Sequence, residues 1–262
     1  MKLKEHTYTA LYLSDIHYLI DHKIRNHNHK DLFRLLNYFY KRKIRFKRIV
    51  LVGDILESWY FSADKKLKNS KKRFDKLFDR FDRLVTPKGV KIFVVGNHDT
   101  VSFRQKLASR IEDYLEDRNW EITEKYESRA IVAMHGHQGQ YNKFNWAFDI
   151  AIVRLLFNLA RLFPRFFQYA ENFYNQHLNR KDPVTKEEKL KYYSKLSSIA
   201  EQGNRVLITG HTHDFLAMPE LKIINTGDWI QNRTFVMQKK TRFFGLQLDK
   251  NLRIVTRFTI HF

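Results

Sequence analysis

Residues 207–214 read LITGHTHD. An apolar run closes on Gly210, and His211 and His213 follow two residues apart. Side chains at that spacing share a face on a regular strand, and on a tight loop both can turn inward. The glycine lets the backbone bend where the imidazoles begin. Read outward from this pair, the same construction recurs along the chain. YTALYL (8–13) leads into Ser14-Asp15-Ile16-His17, and RIVLV (48–52) into Gly53-Asp54 with Glu57 close behind. KIFVV (91–95) leads into Gly96-Asn97-His98-Asp99, and AIVAM (130–134) into His135-Gly136-His137. With RVLIT (205–209) ahead of Gly210, five short apolar runs each end in a polar cluster.

The stretches between these runs carry a different period. Asp31 could cap a helix whose apolar positions are Leu32, Leu35, Leu36 and Phe39. Phe74, Leu77, Phe78, Phe81 and Leu84 mark a second helix face, and Leu107, Ile111 and Leu115 a third. After residue 221 the pattern changes to short β runs: LKIIN, RTFVMQ, FFGLQL and RIVTRFTI. The order is βαβαβα, a long helical segment, then β-rich hairpins, which predicts an α/β domain with at least one mixed sheet. The crevice beyond the carboxyl ends of the strands is where such sheets bind ligands, so the expectation is five clusters converging on one sheet edge. Residues 1–262 read as a single domain with a helical insertion at about 140–200.

That insertion lies between the fourth and fifth runs. Its first half, FNWAFDIAIVRLLFNLARLFPRFF (144–167), is dense in aromatic and aliphatic residues, broken only by Asp149, Arg154, Arg161 and Arg165. Its second half carries Lys181, Lys186, Lys189, Lys191 and Lys195. The apolar half could hold acyl chains, lie in a membrane interface, or pack as ordinary core against the sheet.

Composition bounds the class. Of 262 residues, 43% are hydrophobic, which suits a folded domain with a sizeable core. There is no cysteine, so disulfides, thiolate metal sites and a cysteine nucleophile are excluded, in keeping with a reducing compartment. The N-terminal stretch shows no apolar run ahead of a cleavage site, and no run reaches the ~18 apolar residues of a spanning helix. The expectation is a cytoplasmic protein, peripheral at the inner membrane surface. A formal charge of +20 concentrates anionic partners: a phosphoester substrate, lipid-linked or not, an anionic membrane, or nucleic acid. A lysine-rich solvated surface would carry the same charge.

The clusters offer carboxylate, amide and imidazole donors with no sulfur, a set suited to Mn²⁺, Fe²⁺ or Zn²⁺. They hold too many donors for one tetrahedral ion. They fit two ions about 3.5–4 Å apart that share a bridging carboxylate.

Asp-X-His, Gly-Asp, Gly-Asn-His-Asp, His-Gly and Gly-His-Thr-His, in this order, resemble the calcineurin-like metallophosphoesterases over roughly residues 8–135 and 205–230. The resemblance implies a four-layer α/β/β/α sandwich with a helical cap and two divalent metals, Mn²⁺ foremost. By motif position it implies that Asp15, His17 and His213 hold one metal. Asn97, His135 and His211 would hold the other, with Asp54 between them. Asn97 and His98 would meet the substrate. His98 would contact the scissile phosphate or protonate the leaving group, and Asp99 would orient its imidazole.

The insertion, with Ile224-Asn225-Thr226-Gly227-Asp228-Trp229 after it, is similar to the UDP-2,3-diacylglucosamine pyrophosphatases of lipid A biosynthesis. That group typically has arginine where this chain has His98, and His-Gly-Asp where it has His135-Gly136-His137. A nuclease or cyclic-nucleotide phosphodiesterase on the same two-metal chassis is the alternative enzyme. A metal-assembled scaffold is the alternative outside catalysis.

Overall fold

The computed structural model describes residues 7–18, 28–58, 63–100, 107–139 and 185–262. The apolar segment 144–167 lies outside the described residues. Strand β1 (Thr7–Leu13) is followed by α1 (Asn28–Lys41), β2 (Arg45–Val52), α2 (Ala63–Asp82), β3 (Val85–Val94) and α3 (Ser109–Glu116). Then come β4 (Trp120–Thr123), β5 (Lys125–Glu127) and β6 (Ile131–Met134). Helix α4 (Lys186–Ile199) precedes β7 (Val206–Thr209), β8 (Phe215–Met218), β9 (Ile223–Thr226), β10 (Thr234–Lys239), β11 (Arg242–Leu248) and β12 (Ile254–His261).

The strands form two mixed sheets. One has seven strands in the order β12-β11-β10-β1-β2-β3-β4, and the other five in the order β5-β6-β7-β9-β8. The expectation of a single sheet edge is corrected here. The first three polar clusters leave β1, β2 and β3, which run parallel in the larger sheet. The last two leave β6 and β7, parallel neighbours in the smaller one. Strands β4, β5 and β8 are too short, at three or four residues, to have shown a period in the sequence.

Alternation along the strands explains the layering, because successive side chains face opposite sides. Leu11, Leu13, Ile49, Leu51 and Phe93 pack toward α1, α2 and α3, joining Leu36, Phe39, Phe74, Phe78 and Leu115. Their neighbours Ala10, Tyr12, Val50, Val52, Ile92 and Val94 turn the other way, onto Ile131, Ala133, Val206, Ile208 and Ile224 of the smaller sheet. The outer face of that sheet, with Val132, Met134 and Leu207, is covered by Tyr192, Tyr193 and Leu196 of α4. The layers are therefore helix, sheet, sheet, helix.

Local signals place the helices. Phe74, Leu77, Phe78 and Phe81 follow the helical period on α2 and are fully buried. The basic block KKLKNSKKR (65–73) is the first half of that helix. Arg118 ties its end down, reaching Asp75, Asp79 and Asp82 at 2.7–2.8 Å. Helix α4 starts on a capping box in which the Thr185 hydroxyl accepts from the Glu188 N–H. Among the described residues no helix is long and apolar enough to cross a membrane.

His29, at the start of α1, is buried against Tyr18 and faces the Ile16 carbonyl oxygen at 3.2 Å. Burial pushes its pKa down to about 4. The folded chain thus keeps it neutral while the unfolded chain protonates it near pH 6.5. Its contribution to stability is complete above pH 6.5 and is lost as pH falls toward 4. The shift corresponds to about 3 kcal/mol. Urea denaturation of the metal-free chain at pH 7 and pH 4.5 should show a smaller acid loss in His29→Gln than in wild type; equal losses would refute the assignment.

Candidate metal centre

The two sheets bring their strand ends together in a set of tight loops. Asp15, His17, Asp54, His211 and His213 all adopt positive φ, between 45° and 72°. Non-glycine residues rarely occupy that region, and Asp and His tolerate it better than most. Alternate residues in this conformation let both members of Asp15/His17 and of His211/His213 turn inward from one short loop. Glycine is needed where loops touch. A Cβ on Gly53, itself at φ 81°, would run into the His135 ring, and one on Gly210 would meet Ser14 and Asp15.

Backbone hydrogen bonds continue past the strands and stitch the loops. The N–H groups of Asp15 and His17 donate to the carbonyls of Gly53 and Asp54, at 3.0 and 2.9 Å. Gly210 N–H donates to the His135 carbonyl at 2.9 Å, joining the smaller sheet's two loops. The loops also cross between sheets, where His211 N–H donates to Asp15 Oδ2 at 3.1 Å.

The side chains gather into three groups whose donor atoms lie within 4.8 Å of one another: Asp15, His17 and His213; His17, Asp54 and His98; Asp54, His135 and His211. Asp54 Oδ2 stands 3.0 Å from His135 Nε2 and 3.9 Å from His17 Nε2. Asp15 Oδ1 is 3.3 Å from His213 Nε2. Asn97 is buried one residue before His98, with its carbonyl accepting from the Thr100 hydroxyl at 3.0 Å. Every residue expected from the motifs is thus on the converging loops.

The donor set fits divalent cations. His135 Nδ1 faces the Val52 carbonyl at 2.8 Å, so it carries the proton and Nε2 presents a lone pair. That lone pair faces the Asp54 carboxylate. His17 repeats the pattern: Nδ1 is 2.8 Å from Glu57 Oε2, and the buried Nε2 has no hydrogen-bond partner among the described residues. Two acceptors aimed at each other are reconciled by a proton or a cation between them. Without a cation the proton solution wins at His135. Burial opposes charge there, yet Asp54 and Asp15 raise its pKa to about 9. Burial also works to raise the pKa of Asp54 and Asp15, but the surrounding imidazoles outweigh it and hold both carboxyls below their usual range. His211 stays neutral, pushed down by burial and then by His135.

One expected role is corrected. Asp99 does not orient His98. It is fully buried, and its oxygens accept from the backbone N–H groups of Asp54 and Gly96 at 2.8 Å and of Leu56 at 2.7 Å. It braces the loops. Burial, then the nearby Asp54 charge, raise its pKa to about 7. The residue that meets His98 is Glu57, with its oxygens 3.0 and 3.1 Å from Nδ1. The same carboxylate takes His17 Nδ1, so one buried glutamate orients two imidazoles. Its closeness to the Gly53-Asp54 pair was visible in the sequence; its two partners, 40 and 41 residues away, were not.

The stretch from Asn225 to Trp229 is a brace as well. Asn225 Nδ2 donates to the Gly210 carbonyl and the Thr212 hydroxyl at 2.9 and 3.0 Å, fixing the turn that carries His211 and His213. Ser14 Oγ donates to the Gly227 carbonyl at 2.9 Å, and Trp229 N–H donates to the Asp15 carbonyl at 3.1 Å.

Two consequences can be measured. Replacing Glu57 by Gln should weaken metal binding about 10–100-fold in a chelator competition, the usual cost of losing a partner that orients a ligand. Unchanged affinity would show that the imidazoles need no such support. Asp99→Ala should lower the unfolding free energy by about 3 kcal/mol or more, since three buried N–H groups lose their acceptor. A loss under about 1 kcal/mol would mean the loops hold without it.

Comparison with known proteins bears on this geometry. A calcineurin-like phosphoesterase family model matches residues 8–215, which include the loops from Asp15 to His213. No curated protein matches the chain. Among solved structures, a dimetal phosphatase from Danio rerio aligns with TM-score 0.45 and 11% identity, over 96% of this chain and 99% of that one. On the family match, the chain belongs to the calcineurin-like phosphoesterases, and it is a metal-dependent phosphoester hydrolase.

Proposed function

We propose that the chain hydrolyses a phosphoester or diphosphate bond with Asp15, His17 and His213 holding one divalent cation and Asn97, His135 and His211 the other. The observation that carries this reading is the position of Asp54. One of its oxygens faces imidazoles from both trios, at 3.0 and 3.9 Å. Two divalent cations would supply neutralisation of phosphate charge and a water acidic enough to act near neutral pH; Mn²⁺ is our choice among the ions these donors suit.

The chain's own residues do the rest. Hydrolysis joins a water oxygen to phosphorus and breaks the bond from phosphorus to the leaving oxygen, which then needs a proton. His98 is the donor in this reading, with Glu57 holding Nδ1 so that Nε2 gives up the proton. The His98 backbone N–H donates to Asp54 Oδ1 at 2.7 Å, which fixes this acid relative to the Asp54 carboxylate.

For the substrate we propose a UDP-linked acylated sugar diphosphate, as in lipid A biosynthesis, or a related lipid diphosphate met at an anionic membrane surface. Support comes from the apolar and basic sequence of 144–167 and from α4, the helix on which the insertion returns. Its Tyr192 hydroxyl donates to the Gly136 carbonyl at 2.9 Å, and Lys189 pairs with Asp214 at 2.7 Å. Helix α4 therefore lies beside both histidine loops.

Asp54→Asn should cut turnover of a chromogenic phosphodiester by more than about 100-fold, beyond the effect of residues that only orient ligands. His98→Ala should lose about 10²–10⁴-fold while keeping its metals, as read by elemental analysis. Full turnover in His98→Ala would remove the acid. If metal-loaded wild type hydrolyses no phosphoester, the enzyme reading itself is wrong. With Mn²⁺, UMP release from UDP-2,3-diacylglucosamine supports the proposed substrate; turnover of DNA or cyclic nucleotides alone would replace it with the nuclease or phosphodiesterase alternative.

A further inference from the structure

His137 is the one histidine in these loops given no role by the assignments above. It opens a single 3-10 turn, His137–Gly139, directly after the His135 loop. It is only 3% exposed. Its ring lies 5.7 Å from the His135 ring and 6.2 Å from the His211 ring, centroid to centroid, so it forms a triangle with the two imidazoles assigned to one cation.

Its hydrogen bonding sets it apart. His17, His98 and His135 each have Nδ1 against a built acceptor: Glu57, Glu57 and the Val52 carbonyl. His137 has no hydrogen-bond partner at Nδ1 or at Nε2 among the described residues. Burying both polar atoms of an imidazole unsatisfied costs free energy that a packed apolar side chain would avoid. The turn around it is nevertheless held in place. Tyr192 donates to the Gly136 carbonyl at 2.9 Å, Lys195 Nζ to the Gly139 carbonyl at 2.8 Å, and Gly136 N–H to Gln138 Oε1 at 3.1 Å. A ring fixed this firmly beside the centre is placed for a partner that comes from outside the chain.

That partner is not a cation held with His135 and His211. The donor atoms of Asp54, His135 and His211 lie mutually within 4.8 Å, and His137 joins no such group. His137 lies beside that group without belonging to it. A phosphoryl oxygen there is a strong acceptor for an imidazole N–H.

We propose that His137 anchors the substrate's phosphoryl group, donating a hydrogen bond to a non-bridging oxygen on the His135/His211 side of the centre. It is a binding residue for the reaction proposed above and rests on that reading.

The test uses the full chain loaded with Zn²⁺ and inorganic phosphate as the probe. In wild type, phosphate should shift the ring N–H resonance of His137 in nitrogen-15 NMR. His137→Phe, which keeps a ring and removes both nitrogens, should retain two metals and bind phosphate about tenfold more weakly, the cost of one hydrogen bond to a charged acceptor. KM for a chromogenic phosphodiester should rise more than kcat falls, and His137→Asn, with an amide donor, should recover part of the affinity. The proposal is overturned if phosphate leaves the His137 resonance unmoved, if His137→Phe binds phosphate as wild type does, or if either variant loses a metal that wild type holds. The wild-type resonance answers even where a variant does not fold. Wild type that takes up no metal would instead defeat the two-metal reading, before any variant is compared.

Discussion

Two carboxylates sealed inside the protein set the terms for everything around them. Asp15 and Asp54 are 0% and 2% exposed. Among the described residues their ion-pair partners are histidines rather than lysine or arginine. A buried carboxylate needs positive charge or several hydrogen-bond donors to stay ionised. Imidazoles meet that need only by taking up protons, or by sharing a cation with the carboxylate. With a cation, each imidazole ligates in its neutral form. The centre is therefore more than a set of residues that happen to be near one another. Its own electrostatics leave it unbalanced at neutral pH unless positive charge is present between the carboxylates and the rings.

Holding the carboxylates there strains the backbone. Five non-glycine residues at positive φ, at about 1–3 kcal/mol each, represent a cost the loops cannot carry by themselves. The surroundings offset it with a second ring of hydrogen bonds. Asp99 gathers three N–H groups from two loops, Asn225 ties down the turn before His211, and Trp229 N–H and Ser14 secure the Asp15 loop. The strain and the bracing belong to one design. The same residues that look like spare polar side chains in the sequence keep the ligand loops from relaxing.

Much of this was legible in the sequence, for definite reasons. Short apolar runs ending in Gly-Asp, Gly-Asn-His-Asp and Gly-His-Thr-His announce both the strands and the chemistry, because strand ends and ligands are adjacent in the chain. The helices were readable where a long amphipathic face exists, as on α2. The division into two sheets was not readable from the runs themselves, since β1 to β3, β6 and β7 all end in short apolar runs that are buried on both faces. Asp99 was misread because it neighbours His98 in sequence. Its side chain turns to the backbone of Gly96, Asp54 and Leu56, and adjacency in the chain says nothing about that. Glu57 shows the converse: it lies 41 residues from His98 and makes the contact Asp99 was expected to make.

The two-sheet arrangement makes the inter-sheet core part of the site. Asp15, His17, Asp54, Asn97 and His98 leave the larger sheet, while His135, His211 and His213 leave the smaller one. Among the described residues no backbone hydrogen-bond ladder joins the sheets; they meet through Tyr12, Val50, Val52 and Ile92 packed against Ile131, Ala133, Val206 and Ile208. Sheets packed this way stand about 10 Å apart, a spacing set by side-chain volume. The separation between Asp54 and His135 is therefore governed by apolar residues behind them. The Gly53 position, where any Cβ would strike His135, shows how little slack remains. A change of one methylene in that core alters no ligand, yet it moves one half of the centre against the other. In this fold the distance between the two trios is a packing property before it is a coordination property.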